Sequence, residues 1–459
     1  MEGSITMKEY DLVIIGAGPG GYEAAFEAAD LGMKTALVEK DHLGGTCLNR
    51  GCIPTKSLLH GAELYRKMRE ASLFGITAEA ISYDPGKMQE RKEDVVLQLR
   101  QGIEASAKRK KVDILRGVGT VCGEGSVLLR AGENEEILKT KNILIATGSR
   151  PAVPPIPGAQ LKGVVTSDEL LDCKEKIARL TIIGGGVIGV EFASLYQALG
   201  AEVTIVEAMP QLLPSLDKEL AQSLKMLLKK RGAAVYTGAK VTAIRPGEGG
   251  GLACDFVADR PETAQADRVL LAVGRRPCTE GLFGEGISPL LERGRIVVNE
   301  KYETSLPNVY AVGDVTGGVM LAHAASAQGR NAVRGMAGLA PREDHRFIPS
   351  CVYTDPEIAC VGLTLDQAKA QGIDADSRKA LMTANGKTVL CAADRGYIRV
   401  VFEKQSGKLM GAQLMCQRAT DMISGFTQAL CAGLSVSELA QVIRPHPTFS
   451  EAVNDALKQ

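Results

Sequence analysis

Two stretches of the chain carry the same hydrophobic pattern. Residues 12–15 (Leu-Val-Ile-Ile) and 180–183 (Leu-Thr-Ile-Ile) are short, almost unbroken apolar runs. Each is followed by a glycine-rich turn, an alanine-rich stretch of helical length and a second short run, at 34–38 and 202–206. Short apolar runs bounded by turn residues predict strands buried on both faces, as in a parallel sheet covered by helices. Each second run ends in an acid, Glu39 or Glu207. The copies are in register: Gly184 stands 168 residues after Gly16, and Glu207 stands 168 after Glu39.

The rest of the pattern is organised around this repeat. A helix is predicted to begin near Lys56, and a long charged helix spans about 86–111. Its closing Lys108-Arg109-Lys110-Lys111 suits a helix C-terminus facing solvent. Strands follow within 112–146, and Pro-rich 150–158 reads as a linker. The second repeat occupies about 159–270, with a glycine-rich hairpin at 247–251. Two more short apolar strands end in glycine turns, at 269–274 and 309–314. Past about 341 the pattern changes to strands (348–353, 397–402, 409–414) mixed with helices (419–432, 435–442, 450–457), which predicts a separate α+β unit. The expected fold is therefore α/β. It has two Rossmann-like dinucleotide-binding domains, 1–150 (completed by 271–340) and 151–270, and a C-terminal domain at 341–459.

Composition narrows the class. Apolar content of 45% and charged content of 24% are those of a folded, well-buried chain. A formal net charge of +0 gives no support to nucleic-acid or membrane binding. Eleven scattered cysteines do not form a secreted disulfide framework, so a reducing compartment fits better. The first ten residues lack an apolar core of signal-peptide length, and no apolar run approaches a membrane span. A cytoplasmic protein is expected, with Met7 an alternative start.

Both turns read G-x-G-x-x-G: Gly16, Gly18 and Gly21, then Gly184, Gly186 and Gly189. Such glycines permit a tight turn and close approach of a pyrophosphate to a helix N-terminus, while the acid accepts hydrogen bonds from ribose hydroxyls. One such turn is weak evidence; two complete units imply two dinucleotides. Between them lies Gly-Gly-Thr-Cys-Leu-Asn-Arg-Gly-Cys-Ile-Pro-Thr-Lys at 44–56. Cysteines five apart on a regular helix have Cα atoms roughly 8–9 Å apart. A bridge needs about 7 Å or less, so only a turn distorted at Gly51 or Pro54 would permit one. Two unpaired or metal-binding thiols are the alternative, although a structural zinc site would want a second ligand pair.

These motifs together resemble the pyridine nucleotide-disulfide oxidoreductase family, and Thr-Cys-Leu-Asn-x-Gly-Cys-Ile-Pro is most similar to its dihydrolipoamide-oxidising members. The resemblance runs from Leu12 to about Leu457. It implies a redox-active Cys47–Cys52 disulfide, FAD at the first repeat and NAD at the second. FAD contacts carried over are Gly16, Gly18, Gly21, Glu39, Lys40, Gly45, Thr46, Lys56, Gly119, Thr147, Gly148 and Ser149. Val309-Tyr-Ala-Val-Gly313-Asp314 resembles the second flavin motif, with Asp314 on the ribityl chain; Met320, Leu321, Ala322 and His323 lie along the flavin. Read alone, Asp314 is an ordinary helix N-cap. NAD contacts are Gly184, Gly186, Gly189, Glu191, Glu207, Val241 and Gly274. No metal is implied.

Lys56 and Glu191 resemble the family's ion pair beside the flavin ring. Taken alone, Lys56 is a solvated helix lysine and Glu191 an acid favoured near a helix N-terminus; Glu23 holds the equivalent place in the first copy. His446-Pro-Thr448-x-Ser-Glu451 matches the family's C-terminal signature. A histidine suits proton transfer from a dithiol, and a carboxylate can orient it. Thr448-x-x-Glu451 is also a capping box for the last helix. In the family this histidine reaches the thiols from the partner subunit, which implies an obligatory homodimer.

The implied activity is oxidation of protein-bound dihydrolipoamide with NAD+. His446 is the base, Cys47 the exchange thiol and Cys52 the thiol facing the flavin. Glu207, with no Lys or Arg from 208 to 217, favours NAD(H) over NADP(H). That counts against glutathione reductase, and the tail after Cys431 lacks the second redox pair of mercuric and large thioredoxin reductases. A flavin-bearing assembly or redox-sensing subunit is the contrasting class. Only eleven residues precede the first strand, so the lipoyl group is expected on another protein, of a 2-oxo acid dehydrogenase complex or the glycine cleavage system. Arg50 and Arg444 depart from the family pattern and are expected to alter charge near the thiols.

Overall fold

A computed structural model describes residues 8–393 and 396–458; the alternative start at Met7 lies outside them. Three sheets organise the chain. In the first, parallel strands run in the order Asp113–Arg116, Thr35–Glu39, Glu9–Ile15, Asn134–Ile145, with Val309–Ala311 also parallel to the last. Ser126–Ala131 and Val118–Gly123 extend it as an antiparallel meander. Leu12, Val13 and Ile14 are fully buried because one face meets helices and the other meets the meander side. That two-sided burial is why the strand reads as an apolar run without alternation.

The second sheet is also parallel, ordered Ala234–Thr237, Glu202–Glu207, Arg179–Ile183, Arg268–Leu271, Val164–Thr166. An antiparallel meander, Lys240–Pro246, Leu252–Val257 and Pro261–Ala266, packs against it, and the glycine-rich turn at 247–251 joins its first two strands. The Pro-rich segment 150–158 is less free than a linker. Its Ser149–Pro151 end pairs antiparallel with Arg275–Pro277, so two strands cross together between the first and second sheets. Pro157 O also accepts from Ile244 N.

Eight helices locate the site: α1 Pro19–Asp30, α2 Gly45–Arg50, α3 Cys52–Arg69, α4 Pro85–Arg109, α5 Ser167–Leu170, α6 Val187–Ala198, α7 Lys218–Lys230 and α8 Ala322–Met336. The helix expected near Lys56 begins at Cys52, because Pro54 lies in its first turn, where a missing N–H costs nothing. Asp84 caps α4 through Lys87 N, and the helix ends two residues before the expected 111. Of its basic run, Lys110 pairs with Asp30 on α1.

The third sheet is antiparallel: Ser350–Val352, Glu357–Gly362, Leu409–Cys416, Tyr397–Glu403, Ala375–Leu381. Helices Ala419–Ala432, Val436–Ala440 and Ala452–Leu457 share its core. Sequence reading missed two of these strands. Ala375–Leu381 (Ala-Asp-Ser-Arg-Lys-Ala-Leu) is an edge strand whose charged residues discourage further pairing and erase the apolar signal. Glu357–Gly362 sits between a proline and a glycine turn and is short. Among the described residues no helix is long and apolar enough to cross a membrane.

Candidate active site

A cavity of about 1370 Å³ runs from the first glycine turn past the cysteines to the second. The repeat holds at the level of single hydrogen bonds. Glu39 accepts from Ala17 N and Asp41 N, both at 2.8 Å. Glu207 accepts from Gly185 N, at 2.5 Å, and from Met209 N, at 2.6 Å, the residues 168 further on. Both acids are buried, and burial pushes the Glu39 carboxyl up, partly countered by the Ala17 N–H. The helices behind the turns, α1 and α6, have no side-chain N-cap, so their first N–H groups remain free to face an anion.

Gly16, Gly18, Gly184 and Gly186 line the cavity; Gly21 and Gly189 do not. The third glycine of each motif does different work. A Cβ on Gly21 would stand 1.9 Å from Gly16 O, and one on Gly189 would stand 2.0 Å from Gly184 O. They let the helix rest on its own turn.

The thiol pair is made possible by a break. Gly51 (φ −147°, ψ −110°) ends α2 and precedes α3, so the two cysteines do not share one regular helix. A Cβ there would lie 3.1 Å from Thr46 O and 3.4 Å from the Cys47 Cα. Cys47 and Cys52 stand side by side across this break, close enough for each thiol to shift the other's titration. The neighbouring Cys52 and then burial push the Cys47 thiol far up. Cys52 is pulled down to about 7 by the neighbouring Cys47 and then by the Lys56 charge, against the opposing effects of burial and Glu191. Cys52 is therefore the thiol poised to carry negative charge. Thr55 N and Oγ1 both donate to Gly51 O, at 3.0 and 2.6 Å, and fix the start of α3.

Lys56 is no free surface lysine. Its Nζ donates to both oxygens of Glu191, at 3.1 and 2.8 Å, and sits 4.5 Å from the centre of the Tyr353 ring. Glu191 is only 3% exposed and also accepts from Tyr353 N at 2.9 Å. Such a set of partners offsets the cost of taking a carboxylate out of water.

The remaining expected contacts, Lys40, Gly45, Thr46, Gly119, Thr147, Gly148, Met320, Leu321, Ala322, Val241 and Gly274, all line the cavity. So do Ser149, Asp314 and His323. Asp314 accepts from Ser149 Oγ at 2.5 Å, and Arg275 Nε donates to Ser149 Oγ at 2.7 Å. His323 Nε2 lies 2.7 Å from Pro349 O. A Cβ on Gly45 would come within 2.5 Å of the Gly18 Cα, so the thiol loop presses onto the first turn and leaves a backbone cradle. Uncapped N–H groups and a buried acid fit a dinucleotide at each turn, and the first adds this cradle.

His446 and Glu451 form a unit apart from the cavity. His446 Nδ1 is 2.8 Å from Glu451 Oε1, and Glu451 Oε2 accepts from Thr448 N at 2.8 Å. The Thr448 N–H, then His446, hold the Glu451 carboxyl below its usual range. Capping and histidine orientation coexist. Neither residue lines this protomer's cavity, and the His446 side chain is 79% exposed.

The two arginine departures are absorbed locally. Arg50 pairs with Asp41 at the cavity wall. Arg444 folds back onto Asn454 and the carbonyls of Leu439 and Val442. Sequence reasoning missed Asp168, Arg275, Cys278, Cys351 and Tyr353, all lining the cavity. Gly274-Arg-Arg-Pro277 and the run from Tyr353 held the signal for Arg275 and Tyr353; nothing singled out the other three. Among the described residues no group of three or more His, Cys, Asp or Glu side chains is arranged to hold a metal.

A thiol pair between two dinucleotide turns defines a disulfide oxidoreductase. The chain belongs to the pyridine nucleotide-disulphide oxidoreductase family, whose pattern matches residues 10–329, with that family's dimerisation domain at 348–457. It is 40% identical over 463 aligned positions to the dihydrolipoyl dehydrogenase of Bacillus subtilis, covering 98% of this chain and 97% of that one. It is 38% identical to the Zymomonas mobilis enzyme of the same name, with the same coverage. Among solved structures it resembles LpdA of Mycobacterium tuberculosis (TM-score 0.90, 25% identity, 98% and 99% of the two chains). It also resembles the flavoprotein disulfide reductase RclA of Escherichia coli (TM-score 0.87, 31% identity, 98% and 99%).

Proposed function

We propose that this protein is an NAD-dependent, FAD-containing dihydrolipoyl dehydrogenase, which oxidises protein-bound dihydrolipoamide to lipoamide and yields NADH. The observation that carries this reading is the Cys47–Cys52 pair, set on either side of the Gly51 break in one cavity with both glycine turns. Residues 1–150 with 271–340 bind FAD, 151–270 bind NAD, and 341–459 form the dimer interface. Gly16, Gly18, Glu39, Ser149 and Asp314 would hold FAD; Gly184, Gly186, Glu207 and Val241 would hold NAD. When bound, the flavin supplies two-electron transfer between the thiol pair and the nicotinamide.

The residues act on protons and thiols. In the oxidised protein, His446 takes the proton of one dihydrolipoyl thiol, and the thiolate attacks Cys47 Sγ. The Cys47–Cys52 bond breaks, and Cys52 leaves as the thiolate that Lys56 stabilises. His446 then returns its proton to Cys47 as that thiol leaves and takes the proton of the second lipoyl thiol, whose sulfur displaces Cys47 and closes the lipoamide disulfide. Glu451 orients the imidazole and balances its charge. His446 comes from the partner subunit, a reading supported by its exposure and its absence from the lining of its own cavity. The same unit leaves Ile443 95% exposed, as an interface would require. Eleven cysteines, scattered and odd in number, favour a reducing, cytoplasmic location. A lipoylated protein is the proposed partner, as the name of the dihydrolipoyl dehydrogenase relatives suggests.

Purified protein assayed with dihydrolipoamide, glutathione disulfide and both nicotinamides tests the assignment. Dihydrolipoamide oxidation with NAD+ is expected, and Cys47→Ser should abolish it. NADPH-dependent reduction of glutathione disulfide without dihydrolipoamide activity would refute it. Mixing inactive Cys47→Ser and His446→Ala chains tests the shared site. Mixed dimers, each keeping one intact site, should recover activity, and failure to recover any would place His446 in its own protomer's site.

A further inference from the structure

The ion pair beside Cys52 is one end of a longer arrangement. Tyr353, Thr354 and Asp355 follow the first strand of the C-terminal sheet, Ser350–Val352. At one end of this segment, Tyr353 N donates to Glu191 and its ring underlies Lys56. At the other end, the Asp355 carboxylate accepts from Arg66 on α3 and, at 3.3 Å, from Arg231 just past α7. Arg231 Nη1 also donates to Asp355 O at 2.7 Å. Between them Thr354 is buried, and its hydroxyl donates to Pro356 O at 2.8 Å. The three groups at Asp355 are each a quarter exposed or less.

The geometry matters because Cys52, Lys56 and Arg66 lie on one helix. Lys56 and Arg66 are about 15 Å apart along the α3 axis, from ten residues at 1.5 Å rise. A three-residue segment of the C-terminal unit thus grips α3 through one side chain near its start and another near its end. At both points it also grips the second unit, through Glu191 on α6 and Arg231. A helix held at two points cannot slide along its axis, and charge-assisted bonds to a half-buried carboxylate make good holding points.

We propose that residues 353–355 are a positioning strap for the redox thiols: Asp355, through Arg66 and Arg231, fixes α3 along its axis and so sets where Lys56 and Glu191 stand beside Cys52. Asp355 and Arg66 are positioning residues, since neither lines the cavity. This deepens the reading of Cys47 and Cys52 as the redox pair and rests on it. The charged and titratable groups around Cys52 are Cys47 on α2, Lys56 on its own helix, Glu191 on α6 and Tyr22 on α1. The strap acts on two of them together, so its loss should alter the charge that Cys52 feels.

The test is read on the thiol and not on turnover. The holoenzyme is kept reduced with a phosphine, and the rate of Cys52 alkylation by iodoacetamide is followed from pH 5 to 9 by mass spectrometry. Trypsin cuts after Arg50 and separates the two cysteines into different peptides. In Asp355→Asn the midpoint should move up, so that alkylation at pH 6 slows by about threefold or more, half a unit of thiol titration. Arg66→Met should do the same and serves if Asp355→Asn does not fold. Asp217→Asn is the control. It removes a different tie between the second and third units, the Asp217–Arg399 pair, while keeping the cap of α7, and its profile should match wild type. An unmoved profile in a folded Asp355→Asn or Arg66→Met protein overturns the strap. An equal shift in Asp217→Asn does so too, since it would make the effect general loosening. Absence of dihydrolipoamide activity in wild type would unseat the functional reading while leaving this measurement interpretable.

Discussion

The two nucleotide turns are built alike and housed differently. Their acids accept from equivalent N–H groups, and the flanking glycines Gly18 and Gly186 have nearly the same backbone, φ −72° and −74°. The helices behind them face different neighbours. Along α1 lies α8, so close that a Cβ on Gly329 would stand 2.2 Å from Gly20 O. Glu23 pairs there with Arg330, and buried Glu27 with Arg334 and Arg342. In the second copy Ile188 replaces Gly20, and Glu191, the counterpart of Glu23, turns to Lys56. The second turn leaves Val187, Met209 and Val273 exposed. On the proposed reading one local chemistry serves two residence times, the enclosed turn suiting a cofactor that stays and the open one a cosubstrate that exchanges.

The sharpest way to break this comparison is to apply the same clash to both. Gly21→Val and Gly189→Val each drive a side chain into a backbone oxygen about 2 Å away, far worse than ordinary overpacking. Gly21→Val should yield protein without flavin, hence colourless and inactive. Gly189→Val should stay yellow and lose about 100-fold in kcat/KM for NAD+, about 2.7 kcal/mol of transition-state binding. If both lose flavin, the turns are not independent.

A smaller effect separates the acids. Replacing either by glutamine turns one acceptor into a donor facing a backbone N–H, at about 1–3 kcal/mol. Glu207→Gln should raise the KM for NAD+ roughly tenfold with kcat nearly unchanged. Glu39→Gln should leave the steady-state constants of loaded enzyme alone and speed flavin loss on dialysis, followed by absorbance. Equal KM effects would mean that the open and closed turns do not differ in exchange.

Much of this was legible because duplication repeats its own signal. The buried strands, the glycine turns and the acids lie close together in sequence, and their hydrogen bonds are local. Two kinds of feature escaped. Ala375–Leu381 carries charges because it is an edge, so no periodicity betrays it. Arg275, Cys351 and Tyr353 reach the cavity from strands and loops far along the chain, brought there by sheet pairing that no short window contains. Lys56–Glu191 crosses 135 residues; only family resemblance, not spacing, could pair them.

The same pair permits a test of opposite signs between the first and second units. Lys56 lowers the Cys52 thiol and Glu191 raises it, with a midpoint at about 7. Lys56→Met removes the favourable charge, so the Cys52 thiolate should appear at higher pH, toward the ordinary value of about 8.5. Glu191→Gln removes the opposing charge and leaves Lys56 uncompensated, so the thiolate should persist to lower pH. Both shifts are read from the pH dependence of Cys52 alkylation in the reduced protein. Each should be modest, about half a unit to one unit, because the neighbouring Cys47 thiol is the larger influence and survives in both. The sign difference is the informative part. If both variants moved the midpoint upward, Glu191 would act by holding Lys56 in place, and its role would be geometric and not electrostatic. The second unit would then contribute a support to the thiols, and the charge beside Cys52 would belong to the first unit alone.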